Sequence, residues 1–141
     1  MNHDTIHRVQ QSWALVIPIA PQAADLFYAN LFALDPALKH LFKGDLQDQG
    51  QKLMQMIGAA VGKLNDLDTL VPVLQQLGRR HGGYGVVPAH YAVVGAALLK
   101  TLAEGLGAAF TPGARQAWTE VYGVIASTMI AASAHADATA A

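Results

Sequence analysis

The sequence predicts a single all-α domain of 141 residues. Apolar residues recur at intervals of three and four along most of the chain, and no stretch alternates between apolar and polar residues as a half-buried strand does. Proline and glycine fall between the periodic segments, where they end one helix or precede the next. A chain of this length buries about two thirds of its unfolded surface, so it needs neither a metal nor a disulfide to fold.

The helices can be placed from their apolar periods and from their capping residues. Asp4 or Thr5 can cap the first helix, Asp68 or Thr69 the fifth, and a capping residue followed by proline begins the third and the last. The first predicted helix follows its cap and is interrupted at Pro18 and Pro21. The others are residues about 22–34, 36–42, about 46–64, a fifth from its cap to 81, a sixth from 88 to about 105 or 107, and a last one from 112, followed by a frayed tail at about 135–141.

The composition excludes several classes of protein. The chain has no Cys, which excludes disulfides, thiolate metal sites, iron–sulfur clusters and cofactors attached through thioethers. Its net charge is −1 and its basic residues are scattered, so we expect no nucleic-acid partner. The charge-free apolar-rich run at residues 121–134 has 14 residues, short of the ~18 needed to span a bilayer. With a polar N-terminus that does not resemble a signal peptide, the protein is expected to be cytoplasmic and without a membrane partner.

His81 stands out because it lies on the apolar stripe of its helix. Leu70, Leu74, Leu77 and His81 fall at i, i+4, i+7 and i+11, so the imidazole points inward. Glycines follow directly and end the helix. Two roles remain open: a core or helix-terminal imidazole held by carbonyl groups, or a neutral imidazole that binds a metal.

Gln49 is a second polar residue at a position where the pattern calls for an apolar one. Burying an unpartnered amide or imidazole costs about 1–3 kcal/mol, so Gln49 and His81 should both have partners. Either they pair through a water molecule, or they face opposite sides of a bound cofactor, with His81 as metal ligand and Gln49 as donor. Tyr28 is a third polar group on a buried face, and Phe42 is an aromatic residue at a helix end.

Together these motifs resemble the globins. The resemblance covers essentially the whole chain and rests on Tyr28, Pro36…Leu41-Phe42, Gln49…Lys52-Leu53, Leu77…Arg80-His81…Val86 and Tyr91. Residues 27–32 (FYANLF), 90–95 (HYAVVG) and 117–126 are similar to the single-domain bacterial haemoglobins related to the flavohaemoglobin globin domain. The resemblance implies the globin fold, a helical sandwich around a haem pocket, and a non-covalent haem b.

The resemblance also implies a role for each motif residue. His81 would be the proximal iron ligand, and Phe42 the aromatic ring wedged against the haem. Tyr28 and Gln49 would be distal hydrogen-bond donors, with Leu53 one turn beyond Gln49. The remaining haem contacts would be Lys52 and Arg80 near the propionates and, lining the pocket, Leu77, Val86, Tyr91 and Val94.

The implied function is reversible binding of O2 and of other diatomic ligands such as NO and CO. The alternative is nitric oxide dioxygenation, in which a separate reductase restores ferrous iron, since the sequence holds no G-x-G-x-x-G loop for a nucleotide cofactor. Ser133 stands where the family often has a Glu bonded to the proximal His, which implies a less basic His81 and weaker peroxidase-like activity. A monomer or a homodimer is expected.

Overall fold

The computed structural model describes residues 2–42, 44–83 and 86–140, and within these ranges it contains helices and no strand. The α-helices are α1 (His3–Val16), α2 (Ala20–Leu34), α3 (Leu46–Gly62), α4 (Leu67–Gly83), α5 (Pro88–Leu106) and α6 (Pro112–Ala140). Short 3-10 helices cover Ile17–Ile19, Pro36–Leu41 and Gly107–Ala109. The all-α prediction is confirmed. The last helix, α6, extends to Ala140 and so includes most of the predicted tail. Fraying of that tail stays a prediction.

The observed capping residues match the predicted ones at some helix starts and differ at others. Thr111 caps α6 as expected, since its hydroxyl accepts from the Ala114 N–H at 3.1 Å. The cap of α4 is Asp66, not Asp68 or Thr69. Its carboxylate accepts from both the N–H and the hydroxyl of Thr69, at 3.3 and 2.7 Å. This cap lies two or three residues before the predicted ones, and α4 continues to Gly83, two residues beyond its predicted end at His81.

The first helix also begins earlier than the sequence predicts. Its cap is Asn2, whose side chain accepts from the Thr5 N–H at 2.8 Å, so neither Asp4 nor Thr5 has that role. It ends at Val16, before Pro18, as predicted. A 3-10 turn then continues directly into α2, two residues earlier than the sequence indicated.

The packing of α4 on α6 and of α2 on α5 dominates the contacts between helices. A Cβ at Gly78 of α4 would collide with the backbone carbonyl of Met129 in α6, so only glycine permits this close approach. Gly95 of α5 likewise leaves room for the Tyr122 ring of α6. Since His81 lies one turn after Gly78, the crossing of α4 and α6 sets its position.

A core of apolar and aromatic side chains holds the other helices in place. The indole N–H of Trp118 donates to the Ser12 hydroxyl at 2.7 Å, and the rings of Trp118 and Trp13 lie 6.0 Å apart. Between α2 and α5, the Asn30 amide donates to Thr101 at 3.1 Å and to Glu104 at 2.8 Å. The buried polar groups among these, Ser12, Asn30 and Thr101, are hydrogen-bonded, so they fix the helices at little cost.

Two stretches, His3–Leu34 and Pro88–Ala109, are long and apolar enough by length and composition to cross a membrane. This is weak evidence, because a core helix of a globular protein passes the same test. Both stretches pack against other helices here. The expected lack of a membrane partner stays a prediction.

Candidate functional site

A mostly apolar cavity of about 990 Å³ lies between the helices. Ligand sites for small molecules commonly have volumes of roughly 300–1,000 Å³, so this one is at the upper end. It brings together nine of the predicted site residues: Tyr28, Phe42, Gln49, Leu53, Leu77, His81, Val86, Tyr91 and Val94. Lys52 and Arg80 are exposed and lie outside the lining. The role of each residue toward a cofactor stays a prediction.

The structure adds polar residues to the lining that the sequence did not single out as site residues. They are His40, Lys63, His90 and Tyr122. Two of them lie within the globin-like segments of the sequence, His90 in HYAVVG and Tyr122 in residues 117–126. For His40 and Lys63 the apolar periods give no indication that the side chain reaches the cavity.

The His81 ring is held in one tautomer. Its Nδ1 lies 2.7 Å from the backbone carbonyl oxygen of Leu77, one turn earlier in α4. A carbonyl oxygen only accepts hydrogen bonds, so Nδ1 carries the proton and Nε2 of the neutral ring keeps its lone pair. Histidines that bind metals are typically held in this way, with the other ring nitrogen donating to a carbonyl or carboxylate.

Tyr91 lies near His81, and Tyr122 contacts Tyr91. The ring centroids of Tyr91 and His81 are 6.5 Å apart, and the Tyr122 hydroxyl donates to the Tyr91 backbone carbonyl at 2.6 Å. Burial raises the pKa of the Tyr91 and Tyr122 phenols, and proximity to Tyr91 raises that of Tyr122 further. The Tyr91 hydroxyl is buried and has no hydrogen-bond partner within the described residues. A buried hydroxyl without a hydrogen bond destabilises the fold by about 1–3 kcal/mol, and a ligand that hydrogen-bonds to it would offset this cost.

Ser133 lies close to the turn that carries His81. A Cβ built at Gly82 would collide with the Ser133 hydroxyl oxygen, so glycine at this position admits the serine side chain. This places the serine of α6 beside the last turn of α4. The hydrogen bond of the His81 ring goes to Leu77, not to Ser133.

An aromatic cluster surrounds Tyr28 on another part of the cavity lining. The ring centroids of Phe27 and Phe42 each lie 5.4 Å from that of Tyr28, and that of Phe32 lies 5.9 Å away. The Tyr28 hydroxyl forms no hydrogen bond with any described residue. Burial raises the pKa of Tyr28, so it is a neutral phenol that can donate.

Gln49 is half-buried in the first turn of α3 and also lines the cavity. Its amide nitrogen lies near Gly44, where an added Cβ would be 3.7 Å away. Gly44 has a φ of +94°, which favours glycine, and the chain bends there before α3 begins. The amide therefore lies beside the cavity and beside the loop before α3.

The donor set fits a cofactor that brings its own metal. No group of three or more His, Cys, Asp or Glu side chains that could hold a bare ion occurs among the described residues. One imidazole is too few ligands for a bare zinc or similar ion. A planar group that supplies its other metal ligands would need only His81, together with apolar walls, and the cavity offers both.

Comparison with known families and proteins identifies similar chains. The globin family model matches residues 25–129. Neuroglobins of Tetraodon nigroviridis and Danio rerio are 39% identical over 118 residues, covering 74% of this chain and 74% of each relative. The flavohaemoprotein of Bacillus subtilis is 36% identical over 107 residues. That match covers 74% of this chain but 27% of the flavohaemoprotein.

Solved structures with low sequence identity share the fold. An engineered carbene transferase derived from a proposed nitric oxide dioxygenase of Rhodothermus marinus has a TM-score of 0.88 at 23% identity, covering 99% of this chain and 97% of that one. For a bacterial globin of Campylobacter jejuni the TM-score is 0.84 at 23% identity, with 95% and 97% covered. A Malassezia yamatoensis flavohaemoglobin with bound FAD and haem gives 0.81 at 22% identity, with 97% and 37% covered.

Proposed function

The chain belongs to the globin family, and on that basis we propose that it holds one non-covalent haem b on His81 and reversibly binds O2 there. Haem-based gas binding is the function that the family supports. The observation that carries the finer proposal is the hydrogen bond from His81 Nδ1 to the Leu77 carbonyl, inside an apolar cavity. This bond leaves Nε2 as the ligand atom.

When bound, the haem supplies an iron atom with one position for a diatomic gas. The chain's own residues orient the group and exclude water. The Leu77 carbonyl fixes the His81 ring, and the half-buried side chains of Phe42, Leu53 and Val94 form apolar walls. Because no Cys is present, retention of the haem depends on the His81 bond and on these contacts.

Tyr28 and Gln49 are the proposed donors to bound O2. Both line the cavity from helices other than that of His81, and the Tyr28 hydroxyl has no donor bond of its own within the described residues. Bound O2 carries partial negative charge, and a hydrogen bond to a charged acceptor contributes about 1.5–3 kcal/mol. Two such bonds would slow O2 release by about two to four orders of magnitude, which favours high affinity.

The second candidate is nitric oxide dioxygenation, in which bound O2 converts NO to nitrate. Its support is the 36% identity to a flavohaemoprotein over 107 residues, which are 27% of that longer relative. In this case a separate cytoplasmic reductase would restore the ferrous state. Steady-state consumption of NO with a flavin-containing reductase, with nitrate formed in equal amount, would establish this activity.

The proposal is tested by the absorption spectrum of the purified protein and of His81→Ala. We expect one haem per chain in the native protein and loss of tight haem retention in the variant, because His81 supplies the bond to iron. His40→Ala is the matched control, since His40 lines the same cavity and should be dispensable. Full haem occupancy and an unchanged ferrous spectrum in His81→Ala would show that the assignment is wrong.

A further inference from the structure

His90, near the start of α5, lines the cavity and is held by the backbone. The backbone N–H of Val87 donates to His90 Nδ1 at 3.1 Å. An atom that accepts from an N–H cannot carry a proton itself, so in the neutral ring the proton is on Nε2. The Nε2–H donor has no other hydrogen bond among the described residues.

The two cavity imidazoles are therefore held in opposite tautomers. His81 donates from Nδ1 to the Leu77 carbonyl and keeps a lone pair on Nε2, whereas His90 accepts at Nδ1 and keeps a proton on Nε2. The free Nε2 of His81 can therefore bind a metal ion, whereas Nε2–H of His90 can only donate a hydrogen bond. Both imidazoles line the same cavity.

We propose that His90 anchors a carboxylate of the bound tetrapyrrole by donating from Nε2–H. This inference rests on the proposed haem binding and names a residue that the sequence motifs did not assign. A carboxylate is an acceptor at both oxygens, and a hydrogen bond to an ionised group is the stronger kind. The ring is half-buried, so the bond is partly protected from water while the other end of the carboxylate stays solvated.

Other cationic or donor groups compete for this role, and the structure ranks them lower. Lys52 and Arg80 are exposed and outside the cavity lining. Lys63 and His40 line the cavity but are exposed, and neither side chain has a hydrogen bond that would hold it in place within the described chain. The capping bond orients His90 in advance, so less conformational entropy is lost when a carboxylate binds.

The test uses two variants of His90 that separate capping from anchoring. His90→Asn retains an acceptor near the Nδ1 position and loses the distant donor. His90→Gln retains an N–H near the Nε2 position and loses the cap. Each protein is loaded either with iron protoporphyrin IX or with its dimethyl ester, in which both carboxylates are blocked, and transfer to an excess of an acceptor apoglobin is followed by absorbance.

We expect His90→Asn to lose haem about tenfold faster than the native protein, while His90→Gln stays within about threefold. With the dimethyl ester, whose oxygens carry no charge and accept more weakly, the rates of loss from native protein and from His90→Asn should differ by less than about threefold. Equal rates of haem loss in native protein and His90→Asn would overturn the inference, and so would equal acceleration with haem and ester, which would indicate a structural effect.

His40→Asn, Lys63→Met, Lys52→Met and Arg80→Met are the matched comparisons. An ester-sensitive loss in one of these variants and not in His90→Asn would assign the anchor to that residue instead. If the native protein bound neither haem nor ester, the proposed function itself would fail. If the native protein bound haem tightly and substitutions at position 90 left the rate of haem loss unchanged, only the role of His90 would fail.

Discussion

At the scale of single residues, the backbone decides what each cavity side chain can do. The Leu77 carbonyl and the Val87 N–H fix the tautomers of His81 and His90, so one ring offers a lone pair and the other a proton. On another part of the lining, burial keeps Tyr28 a neutral donor, because it raises the phenol pKa. Residues of similar type thus acquire different chemical roles from their local partners.

Removing the donors of Tyr28 and Gln49 should affect O2 far more than CO. The outer atom of bound O2 is a charged acceptor and that of CO much less so, so the lost bond mainly raises the O2 dissociation rate. We expect Tyr28→Phe and Gln49→Leu each to raise it by about tenfold or more, with a non-additive double variant because both act on one ligand. Stopped-flow O2 release and CO binding measure this on the four proteins.

Equal and small changes for both gases would contradict that prediction. They would mean that Tyr28 stabilises the pocket by packing against Phe27, Phe32 and Phe42 and that Gln49 turns to solvent. Val94→Ala is a suitable control, since it alters the cavity wall without removing a donor. It should change the rates for both gases to a similar extent.

At the scale of helices, the crossing of α4 and α6 determines where His81 lies. The two backbones meet at Gly78 and Met129, with the smallest side chain at the point of closest approach. One turn later, Gly82 admits the Ser133 side chain. A larger residue at Gly78 would push α4 away from α6 and move His81 with it.

Gly78→Ala should therefore destabilise the protein and weaken haem retention. Overpacking of this kind costs about 1–3 kcal/mol, more than the ~1 kcal/mol that alanine gains over glycine inside a helix. Gly123→Ala is the matched control in α6, because a Cβ there meets nothing within 4 Å, and it should stabilise by about 0.5–1 kcal/mol. Denaturant unfolding and haem loss measure both. A stabilised Gly78→Ala protein with native haem loss would contradict the role of the crossing.

At the scale of the whole molecule, one buried and two half-buried tyrosines couple stability to pH. Burial raises the pKa of Tyr28, Tyr91 and Tyr122 above 10.0, the value expected in the unfolded chain. Above that pH the unfolded chain has released protons that the folded chain still binds. The free energy of unfolding therefore falls as the pH rises.

The protein should accordingly keep this part of its stability below about pH 10 and lose it progressively above. Tyr122→Phe should be less stable at pH 7 by about 1 kcal/mol, because the bond to the Tyr91 carbonyl is lost, yet its stability should fall less steeply at alkaline pH. Urea unfolding between pH 7 and 11 measures both effects. Equal slopes in the two proteins would mean that Tyr122 ionises at its ordinary pKa when folded.

The sequence by itself determined the helices, their approximate ends and the inward faces of Tyr28, Gln49 and His81. Helical period, proline and capping residues are local properties, so they can be read without knowing which helices meet. The resemblance of the sequence motifs to the globins implied nine of the cavity residues in advance, two of which, Phe42 and Val86, lie outside the α-helices.

Only the tertiary structure decided which polar groups line the cavity and which tautomers His81 and His90 adopt. Lys52 and Arg80 share the period of their helices with cavity residues yet lie outside the lining, whereas His90 lies in it. The approach of α4 to α6 at Gly78 also depends on two segments far apart in the chain. Such outcomes depend on the angles and distances at which whole helices pack, and these follow from the sum of many side-chain contacts that no local pattern contains.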